Sequence, residues 1–276
     1  MNRREFLGGC FAGLGAAVLG SNSVFSANGG AMNGINYGAQ LYTARALMER
    51  DVRGTLEAIA ALGYREFEFA GYFGEEPAEI RRILDGLGVS APSAHFGADV
   101  FAGDFSRALD TASTLGHRYL VLPWWAEAER TVEGYQRLAE LLNRSAEAAS
   151  GHGIKVAYHN HDFEFANVYG VIPFELLLAE TAGDQVYFEL DLYWCAVMNC
   201  QPHSLFESHP GRFPLLHLKD RDAEGAMSDV GSGKLDFAAV LAQSDLAGVE
   251  HAFVERDDAE DPLTTFRNGI AHLSGL

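Results

Sequence analysis

Two histidines stand two residues apart in residues 158–165, which read Tyr-His-Asn-His-Asp-Phe-Glu-Phe. They follow residues 154–157, a run with β-branched side chains that predicts a buried strand ending here. Strand side chains alternate between faces, so His159 and His161 should point to the same side. Two buried imidazoles beside a carboxylate are costly unless they are paired, and metal ligation suits this combination. Hydrogen bonds from these histidines to loop carbonyls are the structural alternative.

Ionisable side chains recur at the ends of other predicted strands. One such residue would carry little information, because strand ends meet water in most folds. The recurrence along the chain indicates instead a single site to which several strands contribute. The residues concerned are Glu68, His95, His159, His161, Glu189, Asp191, His217, Lys219 and Glu255.

The elements that must position these residues repeat at a spacing of roughly 25 to 40 residues. In each repeat a helix-like segment ends in glycine and a strand follows, as after Gly63 and Gly116. Alternating strands and helices predict a (β/α)8 TIM barrel in a single domain of residues 34–276, with the active site at the carboxyl-terminal ends of the strands. An open doubly wound sheet is disfavoured because no glycine-rich phosphate loop follows the first strand. The predicted strands are 36–42, 65–69, 93–96, 119–122, 155–158, 187–191, 215–219 and 252–255.

The composition limits the classes of partner. Twenty Lys and Arg residues stand against 38 Asp and Glu residues, which gives a formal charge of -18. Such a chain repels a phosphate backbone, and no basic groove is evident, so we expect no nucleic-acid partner. Three cysteines form no disulfide framework, and Cys195 and Cys200 are expected to be unpaired thiols. The sequence leaves open whether the protein forms a homo-oligomer.

Residues 1–30 carry the features of an export signal and spacer. The Arg3-Arg4 pair precedes an apolar run from Cys10 to Gly20 and a small-residue zone from Ser21 to Ala27, which resembles a twin-arginine signal. The apolar run is too short to span a bilayer, so no stable membrane anchor is expected. The sequence predicts a periplasmic protein exported by the twin-arginine route.

From about Gly34 onward the chain resembles the sugar phosphate isomerase/epimerase family of xylose isomerase-like TIM barrels. The resemblance is carried by residues 158–165, 189–194, 216–220, 231–237 and 253–257. It implies a divalent metal ion held at the tips of strands five to eight, with Asp191, His217 and Glu255 as ligands from the last three.

The resemblance leaves the strand-five ligand open. The family usually has a glutamate there in a Glu-Asn-His setting, whereas this chain has His159 followed by Asn160 and His161. Either His159 binds the metal, or Glu164 folds back from the following loop. A mixed imidazole and carboxylate ligand set suits Mn²⁺, Zn²⁺ or Co²⁺.

The chemistry that such a site could perform is proton transfer beside a substrate carbonyl. The metal acts as a Lewis acid, and the candidate bases are His161, Glu164 and Glu255. Lys219 is a candidate to stabilise the developing oxyanion, and a surface salt bridge to Asp220 or Asp222 is its structural alternative.

The expected substrate is a small-molecule carbohydrate. Aromatic side chains near the rim suit stacking on a sugar ring, although helix packing is the alternative for several of them. The candidate substrate-binding residues are Glu68, His95, Trp124, Tyr193 and Trp194, with Tyr42 and Trp125 nearby.

Three functions are consistent with these features. The first is a metal-dependent isomerase or epimerase of a free sugar or keto sugar, because a periplasmic address disfavours a phosphorylated substrate. The second is a lyase or hydratase acting on a 3-keto glycoside by the same proton abstraction. The third is a sugar-binding barrel without turnover, which the ionisable residues at the strand tips disfavour.

Overall fold

The computed structural model describes residues 35–276. Its central feature is a closed barrel of eight parallel strands in which each strand pairs with the next along the chain and the last pairs with the first. The strands are β1 (Asn36–Gln40), β2 (Glu66–Phe69), β3 (Ser90–His95), β4 (Tyr119–Leu122), β5 (Lys155–His159), β6 (Val186–Asp191), β7 (Leu215–Leu218) and β8 (His251–Val254). The predicted TIM barrel is confirmed. The predicted export signal in residues 1–30, with Cys10, lies outside the described residues.

Helical segments surround the barrel, and several crossovers contain two of them. They are α1 (Arg45–Met48), α2 (Val52–Ala61), α3 (Pro77–Leu87), α4 (Ala98–Ala102), α5 (Phe105–Leu115), α6 (Val132–Ser150), α7 (Pro173–Glu180), α8 (Leu192–Val197), α9 (Pro202–Ser208), α10 (Phe237–Leu241), α11 (Ser244–Ala247) and α12 (Pro262–Leu273). Short 3-10 turns span Leu41–Ala44 and Glu127–Glu129, and Asp220–Arg221 pairs with Met227–Ser228 after β7.

Local sequence explains where these helices begin and end. Asp51 caps α2 by accepting a hydrogen bond from the Gly54 amide, and Thr131 caps α6 in the same way. Pro77 opens α3, and Gly88 ends it in the left-handed conformation at a φ of 63°. These signals fix the lengths of the crossovers and therefore the positions of the strand ends.

The hydrophobic core has two parts. The larger part fills the layer between the barrel and its helices, where Tyr158, Phe188 and Leu216 point outward from their strands. The smaller part lies inside the barrel and includes Tyr119 and Phe253. Because strand side chains alternate, residues next to the outward-facing ones point into the barrel, so His159, Glu189 and His217 lie above this inner layer.

Cys195 and Cys200 correct the expectation of unpaired thiols, because the structure joins them in a disulfide. Cys195 lies in α8, and Cys200 follows the turn after that helix. The sequence separation of five residues gave no such indication, since the pairing depends on how this turn folds back.

Candidate metal centre

Four side chains at the carboxyl-terminal mouth form the candidate metal centre. They are His159 at the end of β5, Asp191 at the end of β6, His217 in β7 and Glu255 directly after β8. One ligand atom from each lies within 4.8 Å of the others, and all four residues are buried. Parallel pairing brings them together, because Asp191 is the direct neighbour of His217 in the sheet register.

The atoms of this cluster face a common space. His217 Nδ1 lies 2.8 Å from Glu255 Oε2 and 3.8 Å from Asp191 Oδ2, and His159 Nε2 lies 3.4 Å from Asp191 Oδ2. Despite their proximity, His217 Nδ1 and Glu255 Oε2 are buried without the alignment of a hydrogen bond to any described residue. A cation between these two atoms would be bound by both. The donor set therefore fits a divalent metal ion.

Neighbouring residues fix the carboxylate of Asp191. The Asp191 backbone amide donates to Asn160 Oδ1 at 3.0 Å, and Asp191 Oδ1 accepts from the Trp194 amide at 3.0 Å as the N-cap of α8. This leaves Oδ2 to face the cluster. Asn160, between the two histidines of the sequence motif, therefore ties the end of β5 to the end of β6.

Glu68 lies beneath His217 and not in the wall of the cavity above it. Its Oε2 accepts hydrogen bonds from His217 Nε2 and from Gln40 Nε2, each at 2.7 Å, and its Oε1 accepts from the Ser93 hydroxyl. With His217 Nε2 committed to Glu68, Nδ1 is the ring nitrogen that faces the cluster. Glu68, expected at the substrate, is placed where it orients a candidate ligand.

A second group of possible ligands lies deeper and shares His217 with the first. It consists of Glu68, His95, Glu189 and His217. His95 Nε2 lies 2.8 Å from Glu189 Oε2, and His217 Nε2 lies 3.2 Å from the same oxygen. Glu189 Oε1 is buried without a hydrogen-bond partner in residues 35–276.

Lys219 points into the site and is almost fully buried. Its Nζ lies 3.0 Å from Asp191 Oδ2, 2.8 Å from Glu255 Oε2 and 3.0 Å from Asp257 Oδ1. Burial alone would lower the pKa of Lys219, but these carboxylates raise it well above its usual range. The lysine therefore carries a permanent positive charge at the cluster.

The alternative surface pairing of Lys219 is not formed. Asp220 instead accepts hydrogen bonds from backbone amides of the following loop, those of Gly231 at 3.0 Å, Gly233 at 2.9 Å and Leu235 at 3.1 Å. Asp222 accepts from the amides of Glu224 and Ala226. The glycines of residues 231–237 thus close a loop around Asp220.

Negative charge exceeds permanent positive charge at this mouth. The carboxylates of Glu68, Glu189, Asp191 and Glu255 are all buried, and Lys219 is the only Lys or Arg among the described residues whose side chain forms an ion pair with any of them. Histidine protons supply further positive charge. Burial lowers the pKa of His217, but the carboxylates of Glu189 and Glu255 outweigh it and raise that pKa well above its ordinary value. A divalent cation would replace such protons.

Glu164, the other candidate for the strand-five ligand, lies behind β5. Its carboxylate accepts hydrogen bonds from the Tyr158 hydroxyl and, at 2.8 Å, from the His161 amide. Tyr158 points outward from the barrel, so these contacts hold Glu164 away from the cluster. Burial raises the pKa of Glu164 to about 7. The structure brings His159 to the cluster and does not bring Glu164.

A cavity of about 650 Å³ opens above the cluster. His161 lines it with His159, at 4.9 Å between ring centroids, and His161 Nδ1 is buried without a hydrogen-bond partner within residues 35–276. Burial and the neighbouring His159 lower the pKa of His161 far below its usual range, so the ring is neutral. The lining residues are Tyr42, Ala70, His95, Gly97, Pro123, Trp124, Arg130, His159, His161, Asp162, Phe163, Trp194, Lys219, Glu255 and Asp257.

The aromatic residues divide between the cavity and the packing around it. Trp124 is 51% exposed, and Tyr42 and Trp194 also line the cavity. Tyr193 does not line it, because its hydroxyl donates to the Gly225 carbonyl at 3.1 Å. Trp125 is buried and donates to the Glu129 carbonyl. Tyr193 and Trp125 therefore lie in the packing around the cavity, outside its lining.

Several polar residues of the site were not anticipated as site residues. Gln40 ends β1 and binds Glu68, Ser93 lies two residues before His95 on the same face of β3, and Asp257 binds Lys219. The alternation rule applied to β3 would have identified Ser93. The sequence does not mark Gln40 or Asp257 as site residues, because neutral amides at strand ends and aspartates in surface loops are common.

Comparisons with known proteins agree with this architecture. The inosose dehydratase of Salmonella typhimurium is 22% identical over 275 residues, covering 83% of this chain and 89% of that protein. A sugar phosphate isomerase/epimerase from Parabacteroides distasonis superimposes with a TM-score of 0.75 at 26% identity, covering 88% of this chain and 95% of that one. The IolI protein, solved with a zinc atom, superimposes with a TM-score of 0.70 at 15% identity, covering 87% of this chain and 97% of that one.

The family model described as xylose isomerase-like TIM barrel matches residues 56–274, which confirms the resemblance inferred from the sequence motifs. Among residues 35–276, no helix combines the length and the hydropathy that crossing a membrane requires. The chain belongs to the xylose isomerase-like TIM barrel family.

Proposed function

We propose that this protein is a metal-dependent isomerase or epimerase that removes a proton beside a carbonyl of a free sugar or keto sugar. The observation that carries the proposal is the excess of buried carboxylates over ammonium groups where His159, Asp191, His217 and Glu255 converge. Such an excess is costly without a cation. His161, in the cavity directly above, is a candidate base.

His159, Asp191, His217 and Glu255 would hold the ion. Two imidazoles and two carboxylates suit Zn²⁺, Mn²⁺ or Co²⁺, and a zinc atom is present in the similarly folded IolI protein. When bound, the ion would polarise a substrate carbonyl as a Lewis acid. The geometry favours His159 over Glu164 as the strand-five ligand.

The protein side chains would divide the remaining tasks. His161 lines the cavity and would accept the proton. Lys219, whose ammonium group also reaches the cavity, would stabilise the negative charge that develops on oxygen. Glu255 lines the cavity on the strand-eight side and is both a candidate ligand and a second candidate proton acceptor.

A lyase or dehydratase is the second candidate, and the strand-five residue favours it. An epimerase needs proton transfer at two faces of a carbon, and the family uses glutamates on strands five and eight for this. Here His159 replaces the first glutamate, and Glu164 does not line the cavity. Elimination needs one base and a leaving group. Similarity to an inosose dehydratase supports the same alternative.

One experiment separates these activities. Metal-loaded protein is incubated in D2O with free sugars and 3-keto glycosides, and the products are followed by NMR and mass spectrometry. Deuterium uptake without loss of a group would support the isomerase, and release of water or an aglycone would support the lyase. Binding without deuterium uptake or product would refute both and leave the sugar-binding barrel.

We also propose that the protein is exported to the periplasm. The Arg3-Arg4 pair supports twin-arginine export, and the Cys195–Cys200 disulfide suits an oxidising compartment. Changing Arg3 and Arg4 together to Lys should retain the protein in the cytoplasm, as measured by immunoblots of cell fractions. Arg50 and Arg53, changed to Lys, form the control pair. Normal periplasmic accumulation of the Arg3/Arg4 variant would contradict the proposal.

A further inference from the structure

The guanidinium group of Arg130 is held in the wall of the cavity by aromatic rings. Its Cζ lies 3.4 Å from the centroid of the Phe163 ring and 4.6 Å from that of Trp124. The Phe163 ring is nearly parallel to the His161 ring, with 5.3 Å between the ring centroids and 5° between the ring planes. These ring contacts place the Arg130 cation on the same wall as the candidate base.

Most of the hydrogen-bonding capacity of Arg130 is unused. Its Nε–H donates to the Trp125 carbonyl at 3.1 Å, and neither Nη1 nor Nη2 donates to another described residue. Nη2 is buried, which leaves Nη1 to meet a ligand. No carboxylate of residues 35–276 forms an ion pair with it, in a chain with 38 acidic and 20 basic residues. Glu164, on the same side of the site, is occupied by Tyr158 and His161. A guanidinium group with free donors suits a ligand oxygen.

Lys219 is the other Lys or Arg that lines the cavity, and its charge is already matched by Asp191, Glu255 and Asp257. We propose that Arg130 binds an anionic group of the substrate, and that the substrate is a sugar acid whose carboxylate pairs with it. A planar carboxylate matches the guanidinium fork. This inference rests on the proposed function only in taking the substrate to be a carbohydrate.

Arg45 provides a matched control on the opposite side of the mouth. It also stacks on an aromatic residue of the cavity, with its Cζ 4.2 Å from the centroid of the Tyr42 ring. Its guanidinium, however, donates to the backbone carbonyls of Tyr42 at 2.8 Å and of Asp257 at 2.9 Å. Arg45 therefore has the same stacking but fewer free donors.

The test is calorimetric titration of zinc-loaded protein with glucose, galactose, their uronates and glucose 6-phosphate. We expect each uronate to bind at least about tenfold more tightly than its neutral sugar, since a hydrogen bond to a charged group is stronger than one between neutral groups. R130Q should lose this preference, R130K should keep part of it, and R45Q should keep all of it. Thermal melts and zinc content equal to wild type would show that R130Q is folded.

Several outcomes would overturn the inference. They are equal binding of uronate and neutral sugar, a preference that persists in R130Q, tighter binding of glucose 6-phosphate than of glucuronate, and no binding of any compound. Failure of the proposed function is distinguishable from these. Uronate binding through Arg130 without turnover would refute the enzyme and keep the inference, whereas turnover of neutral sugars alone would do the reverse.

Discussion

Both ends of the barrel carry ionisable residues inside or beside the strands, but the two ends differ in how these residues are paired and buried. At the amino-terminal end Lys155 Nζ lies 2.9 Å from Glu250 Oε1, and His251 Nδ1 lies 2.6 Å from Glu66 Oε2. Lys155 and Glu250 are each about one-third exposed, so water screens them. At this end each of the two carboxylates has a nitrogen atom of a basic side chain beside it.

The carboxyl-terminal mouth gathers the buried carboxylates of Glu68, Glu189, Asp191 and Glu255, of which only the last two pair with an ammonium group, that of Lys219. Burial makes this imbalance of charge costly, whereas Lys155 and Glu250 at the other end are both matched and screened. Ionisable residues at a barrel end are therefore not sufficient to indicate a site. Burial together with unbalanced charge distinguishes the functional end from the structural one.

The largest expected effect comes from removing one ligand charge at the mouth. Asp191→Asn keeps the shape of the side chain and its capping oxygen, but it removes the negative charge facing His217. We expect metal affinity to fall by at least about 100-fold, measured by competition with a chelator, with loss of turnover. Glu250→Gln, at the opposite end, should leave both unchanged. Equal metal affinity in the two variants would contradict the distinction between the ends.

A second pair of variants tests the two candidates that follow β5. His159→Ala should lose bound metal, because His159 Nε2 faces Asp191. Glu164→Gln should keep metal and lose stability, by about 1–3 kcal/mol, because an amide cannot accept from both Tyr158 and His161 as the carboxylate does. Zinc content and thermal melts measure the two effects. Metal loss in Glu164→Gln alone would reverse the assignment.

The fold and the gathering of the site residues were predictable from the sequence, because both depend on local rules. Strand alternation places His159 inward, and the glycine-terminated repeat sets a barrel whose strand ends converge. The register that makes Asp191 the neighbour of His217 follows from that closure.

Other features depended on contacts that the sequence does not encode locally. The direction of Glu164 was decided by the outward-facing Tyr158 hydroxyl, which competes with the metal cluster for the same carboxylate. The role of Glu68 depends on Gln40 and Ser93 from two other strands. The disulfide between Cys195 and Cys200 depends on the fold of one turn. Each needs a three-dimensional neighbour.

An intermediate effect is expected from two glutamates of the same strand that serve opposite ends. Glu68→Gln should lower metal affinity by roughly 10–100-fold, because Glu68 accepts the Nε2–H of His217 and thereby orients Nδ1. Glu66→Gln, two residues earlier, alters only the pair with His251 and should leave metal affinity unchanged. Chelator competition measures both. An equal loss in the two variants would mean that β2 acts through general stability and not through His217.

The effect most remote from the metal centre concerns a buried histidine that lies at neither cluster. The ring of His117 donates from Nδ1 to the Ala91 carbonyl at 2.6 Å, and its Nε2 lies 2.9 Å from the Tyr72 hydroxyl, from which the neutral ring accepts. Burial lowers the pKa of His117 to about 4, whereas the carboxylates around His217 raise the pKa of that histidine. The two residues therefore show that carboxylates, and not burial, hold protons at the mouth.

Because the pKa of His117 in the folded protein lies below its value of about 6.5 in the unfolded chain, the unfolded state binds the extra proton first as the pH falls. Above pH 6.5 both states leave His117 largely unprotonated, so it does not lower the free energy of unfolding there. Between pH 6.5 and 4 the free energy of unfolding should fall by about 3 kcal/mol more in the wild type than in His117→Gln, measured by urea denaturation at each pH. The variant carries no titrating group there, so parallel curves for the two proteins would mean that His117 is not held neutral by burial.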